Sequence, residues 1–218
     1  MPRYQLLIFD WDGTLADSAA QIVSAMQAAI SGLKLPPRTD ESIRELIGLG
    51  LNEALQRLYP EIELEGLKKL LQGYRAQWLS EGAGEAPLFK GALESVQILQ
   101  AQGHRIAIAT GKSRRGLRRS LEHHAELNRL VSSSRCADET ASKPNPLMLT
   151  ELLEHEELKP AEALMIGDTE YDMEMARSIG MPALGVTCGV HQPARLLTAG
   201  AVALIEHVGS LPAWLQSR

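Results

Sequence analysis

The chain has 218 residues, 44% hydrophobic and 22% charged, a globular composition with room for one full core and a modest extra module, which excludes disorder and fibrous repeats. Its 22 Lys and Arg against 27 Asp and Glu leave a formal charge of −5, which disfavours a general nucleic-acid binder, and no apolar run approaches the eighteen or so residues of a membrane span. Cys136 and Cys188 form no C-x-x-C and read as the reduced thiols of a cytoplasmic protein.

In chain order, Tyr4–Phe9 reads as a buried strand whose apolar run is too short for a signal-peptide core. From Asp17 to about Gly84 there is no convincing strand, only helical patterns separated by Leu35-Pro36-Pro37, Gly48-Leu49-Gly50 and Tyr59-Pro60. The last of these helices carries Leu67, Leu70, Leu71, Tyr74 and Trp78 on one face, the spacing of a packing stripe. Glu81 to Pro87, rich in small and helix-breaking residues, reads as a return linker. Beyond it, strands at Arg105–Ala109, Ala163–Ile166 and Ala183–Val186, with a weaker one near Leu130–Ser133, alternate with helices at about 91–102, 114–124, 145–155, 171–179 and 193–199. That alternation predicts an α/β fold, a doubly wound parallel sheet built from 1–16 and 85–218, with an all-helical module inserted at 17–84.

The chemistry-bearing residues gather at predicted strand ends. Tyr4–Phe9 delivers Asp10-Trp11-Asp12-Gly13-Thr14 at its C-terminal end, where open α/β sheets bind ligands. Residues two apart on an extended strand face the same way, and Gly13 lets the backbone turn directly after them. Carboxylates so close need a cation, a shared proton or both. Alone, Asp12-Gly13 also fits a plain turn beside a helix cap. Arg105–Ala109, however, ends in Thr110-Gly111-Lys112, where a hydroxyl, backbone N–H groups and a helix start near Ser113 can cradle an oxyanion. Ala163–Ile166 ends in Gly167-Asp168, with Asp172 on the same face one turn later. In Ser142-Lys143-Pro144-Asn145-Pro146, Pro144 keeps Lys143 out of helical geometry, at a junction beside the same sheet edge.

Asp10-Trp11-Asp12-Gly13-Thr14-Leu15, Thr110-Gly111-Lys112, Lys143-Pro144 and Gly167-Asp168 with Asp172 resemble, in order, the four motifs of the haloacid dehalogenase superfamily, and most closely its phosphoglycolate phosphatase-like members. The resemblance covers essentially the whole chain, and the helical module is similar to that subgroup's cap domain. It implies a Rossmann-like core and a phosphatase. Asp10 would be the nucleophile that forms an aspartyl-phosphate, and Asp12 the acid and then the base. Mg²⁺ would be held by Asp10, the backbone carbonyl of Asp12 and Asp168, with Asp172 tuning the surrounding shell. Thr110, the N–H groups around Gly111 and Lys143 would stabilise the transferring phosphoryl group. Asp12 favours phosphate chemistry over dehalogenation. A phosphosugar mutase resembles such phosphatases at every core motif and is the alternative enzyme; a non-catalytic phosphate-binding or interaction module is the third reading.

Substrate choice is expected in the inserted helices, with Arg44 and the Gly48-Leu49-Gly50 turn over the site; the plainer alternative is a solvated arginine and a helix-separating turn. Lys112 is expected to point to solvent. The basic stretch from Ser113 to Arg119 reads as a solvated helix face rather than a nucleic-acid surface, because interleaved aromatics are lacking. His191 either approaches the crevice or is a loop histidine without function. The expected partner is a small phosphorylated substrate, with no nucleic acid and no membrane, the protein being a monomer or homodimer.

Overall fold

The computed structural model describes residues 3–79 and 84–217; Glu81 to Ala83 of the expected linker lie outside the described residues. In chain order the elements are β1 (Leu6–Phe9), α1 (Ala19–Gly32), α2 (Asp40–Arg44), α3 (Leu51–Leu58), α4 (Leu64–Leu79), α5 (Ala92–Ala101), β2 (Arg105–Thr110), α6 (Arg114–His123), α7 (Ala125–Asn128), β3 (Ser133–Cys136), α8 (Leu147–Glu156), β4 (Ala163–Gly167), α9 (Glu170–Ser178), β5 (Ala183–Val186), α10 (Pro193–Ala199), β6 (Ala203–Ile205) and α11 (Leu211–Gln216). The six strands form one sheet in the order β3-β2-β1-β4-β5-β6, every pair parallel.

Strand side chains divide between two cores, which is why the strands read as continuous apolar runs. Leu7, Phe9, Ile106, Ile108, Leu164 and Ile166 face one way, against Val96 and Leu99 of α5, Leu117 of α6 and Leu211 of α11. Leu6, Ile8, Ala107, Ala109 and Met165 face the other, against Met148 and Leu152 of α8, Met173 of α9 and Leu196 of α10. Both faces are thus covered by helices, as a doubly wound sheet requires. The helices inserted after β1 have a core of their own, centred on Val23, Met26, Ile30, Ile43, Leu55, Tyr59 and Leu70.

The expected stripe on α4 divides. Leu67, Leu70 and Leu71 pack into that third core, Tyr74 packs against it and also lines a cavity facing the sheet, and Trp78 lines that cavity, edge-on to Tyr74 at 6.1 Å between ring centroids. The weak strand expected near Leu130–Ser133 lies further along, at Ser133–Cys136; its Ser-Ser-Arg-Cys composition carries little β signal because it is an edge strand. The other edge, β6, is three residues long, too short for periodicity to register. Among the described residues no helix is long and apolar enough to cross a membrane.

Candidate active site

Register brings the acids together. Phe9 is paired with Ile108 of β2 and Ile166 of β4, so Asp10 emerges level with Ala109 and Gly167, and Thr110 and Asp168 emerge one residue further on. The site therefore sits at the carboxyl ends of β1, β2 and β4, beside the point where strand order reverses. Asp10, Asp168 and Asp172 each present one carboxylate oxygen within 4.8 Å of the others, and all three are buried.

Lys143 is the counter-charge. It is fully buried, and its Nζ lies 2.7 Å from Asp10 Oδ1 and 2.6 Å from Asp172 Oδ1. Burial alone would lower its pKa, but the charges of Asp10 and Asp172 outweigh that and hold it above the ordinary lysine value. Burial raises Asp10 well above the usual carboxylate range, opposed by Lys143 and reinforced by Asp172 and Asp168. Asp168 is pushed up to about 7 by burial and then by the charge of Asp172.

The surrounding residues aim these groups. Asp172 Oδ2 accepts from the Thr169 backbone N–H at 3.2 Å and from its hydroxyl at 2.7 Å. That bonding starts α9 and leaves Oδ1 turned toward Lys143. Asp168 accepts from the Thr14 hydroxyl at 2.8 Å and the Val190 N–H at 2.9 Å. Gly13, at φ 84°, is required here, since a Cβ there would stand 2.2 Å from Asp168 Oδ2. The Thr110 hydroxyl is buried and accepts from the Lys112 N–H at 3.2 Å.

Asp12 stands apart from the acidic cluster. Its Oδ1 accepts from the Ser18 hydroxyl at 2.6 Å and from Lys112 Nζ at 2.9 Å. Lys112 does not point to solvent as expected: it turns inward to pair with Asp12, its ammonium 5.5 Å from the centre of the Trp78 ring. Ser18, Lys112 and Trp78 are the site residues the sequence reading missed. Ser18 alone had a local signal, as a hydroxyl six residues after Asp12 at the head of a helix.

The turn Gly48-Leu49-Gly50 lies over the site. A Cβ on Gly111 would meet the Leu49 carbonyl oxygen at 2.4 Å and that of Gly48 at 2.6 Å, and the Gly50 N–H donates to Ser142 Oγ at 2.7 Å. Arg44 does not join it. It is exposed on α2 and absent from the walls of the cavity, because the short helix turns it outward while Ile43 enters the core. His191 is buried and ties elements together: its Nδ1 accepts from the Glu170 N–H at 3.1 Å, its Nε2 lies 3.3 Å from the Glu45 carbonyl, and its backbone N–H donates to the Asp168 carbonyl at 3.4 Å. In the basic stretch, Arg114 pairs with Glu139 and Arg119 with Glu85, while Arg115 and Arg118 are exposed. Cys136 and Cys188 are free thiols, both pushed up to about 12 by burial.

The donor set suits a hard divalent cation. Three carboxylates against one ammonium leave the buried cluster doubly negative if all ionise, and Asp10 Oδ2 has no hydrogen-bond partner among the described residues. Oxygen ligands and a charge of that size match Mg²⁺ or Ca²⁺ chemistry.

Fold and site define an α/β protein with buried acids gathered at its sheet's switch point. Residues 7–186 match the family model for haloacid dehalogenase-like hydrolases, and the chain belongs to that family. It is 34% identical over 205 residues to "Probable phosphatase IndB" of Dickeya dadantii, across 92% of this chain and 89% of that one. It is 30% identical to a phosphoglycolate phosphatase of Agrobacterium fabrum, across 86% and 82%. A solved hydrolase from Pseudomonas syringae superposes with a TM-score of 0.84 at 26% identity, across 99% of each chain.

Proposed function

We propose that the protein is a Mg²⁺-dependent phosphomonoester hydrolase that acts on a small phosphorylated metabolite through an aspartyl-phosphate on Asp10, with 17–84 acting as a cap on a core of 1–16 and 85–218. The observation that carries this reading is Asp10 itself: buried, with one oxygen against Lys143 and the other without a hydrogen bond among the described residues. A carboxylate held so is oriented but left with a free lone pair, the condition of a nucleophile.

In the first step an Asp10 oxygen attacks phosphorus, the bond from phosphorus to the leaving oxygen breaks, and Asp12 supplies the proton that oxygen needs. In the second, Asp12 takes a proton from water as that water attacks phosphorus, and the bond to Asp10 breaks. Asp10, Asp168 and Asp172, with the Asp12 backbone carbonyl, are the groups that would hold Mg²⁺, which when bound supplies charge neutralisation for an incoming phosphate dianion. Lys143 holds Asp10 in place and, with Thr110 and the N–H groups around Gly111, faces the transferring oxygens. The turn Gly48-Leu49-Gly50 excludes water above them.

Names borne by relatives make phosphoglycolate the reference substrate. The test is phosphate release from phosphoglycolate and from a generic aryl phosphate, with Mg²⁺ and with chelator. Metal-dependent release is expected. Interconversion of sugar phosphates without net release would instead indicate a mutase, and binding without turnover a non-catalytic module.

A further inference from the structure

The cavity in front of Asp10 and Asp12 has a volume of about 610 Å³. A phosphorylated two-carbon acid has about nine non-hydrogen atoms, and even at the ~30 Å³ that one water takes in the liquid it would fill under half of that space. The inserted helices already touch the core beside this cavity. Besides the Gly48-Leu49-Gly50 contacts, the Tyr171 hydroxyl donates to the Glu45 carbonyl at 2.9 Å, and Arg195 bridges Glu45 and Glu170 at 2.6 Å each.

Part of the wall is apolar, formed by Ile22 and Met26 of α1, Leu46 and Ile47 after α2, and Tyr74 and Trp78 of α4. Walls of this kind hold water poorly and forfeit dispersion contacts across an unfilled gap. They also stand on the leaving-group side. Lys112 touches Asp12 and lies over Trp78, and the Tyr74 phenol is held above its ordinary range by burial and then by the charge of Asp12. The organic part of a phosphate ester attacked at Asp10 and protonated by Asp12 therefore leaves the phosphorus toward these two rings.

Within the hydrolase reading above, on which it rests, we infer that the preferred substrate is a phosphomonoester with a ring-sized apolar body, seated between α1 and α4, rather than a phosphorylated two-carbon acid. Hydrolysis converts the ester and water to the free alcohol or phenol and inorganic phosphate. Trp78, Tyr74 and Met26 are the specificity-determining residues.

The test is the ratio of kcat/KM for naphthyl phosphate to that for phosphoglycolate, with Mg²⁺, in the wild type, Ala54→Phe and Trp78→Ala. Ala54 lines the same cavity, and a ring there occupies the space the naphthyl group needs. The wild-type ratio is expected to be at least about ten, and each variant to lower it at least about tenfold through the KM for naphthyl phosphate. A wild-type ratio at or below one overturns the inference, as does a ratio that neither variant moves, and both leave the hydrolase reading standing. Wild-type enzyme that releases phosphate from neither compound overturns the hydrolase reading and this inference with it.

Discussion

At the carboxyl end of the sheet, Asp10, Thr110 and Asp168 extend from strands whose alignment is set by backbone pairing along their length. The inserted helices reach the same place differently, through one turn whose carbonyls sit on Gly111 and through the side chains of Tyr74 and Trp78. Side chains on paired strands have their separation dictated by register, whereas those on a packed helix depend on how two cores meet. The first arrangement suits chemistry, which tolerates little displacement; the second suits recognition, which can vary while the chemistry stays.

That contrast is sharpest where the sheet end is altered. Asp10→Asn keeps the shape of the side chain and removes its nucleophilic oxygen, so turnover is expected to fall at least about 10⁴-fold with the fold retained; circular dichroism and phosphate release check both halves. Lys143→Met leaves Asp10 and Asp172 buried without their ammonium. An expected loss of about 3–5 kcal/mol in urea unfolding follows from the uncompensated charge, with activity down about 10²–10³-fold. Were stability unchanged, the two short contacts to Lys143 would not be the bond that holds the acids together.

Smaller effects are expected where insert meets core. Gly111→Ala drives a Cβ into two backbone carbonyls, which have no flexible end to move aside, so the turn over the site lifts and kcat/KM falls about 10–100-fold. Mg²⁺ at a hundredfold excess over its Kd is expected to stabilise the protein by about 2.7 kcal/mol, read as a rise in Tm, and Asp168→Asn to remove that gain. Arg44→Ala, at an exposed position outside the cavity, is expected to change kcat/KM by less than about twofold. A large loss there would place recognition on the outer face of the insert and undo the contrast.

What could be read from the sequence follows the same division. Asp10, Thr110, Lys143, Asp168 and Asp172 stand at strand ends, a junction and a helix start, features that local patterns mark. Trp78 carries helical spacing identical to that of the core leucines, and nothing local says that its turn of α4 overhangs the sheet. Lys112 reads as solvent-facing until the partner 100 residues away is known to lie beneath it. Arg44 differs in the opposite sense: its charge suits a phosphate, yet on the short α2 it is exposed and outside the cavity while Ile43 is drawn inward. The edge strand β6 escapes because three residues cannot display a period.

The proposed reaction passes through a covalent bond to Asp10. Wild-type protein mixed with Mg²⁺ and an aryl phosphate, quenched in acid within the first turnover and digested, is predicted to carry a phosphoryl group on Asp10 in the peptide spanning β1, and Asp10→Asn to carry none. Steady phosphate release with no adduct on that peptide, together with retained turnover in Asp10→Asn, would contradict it.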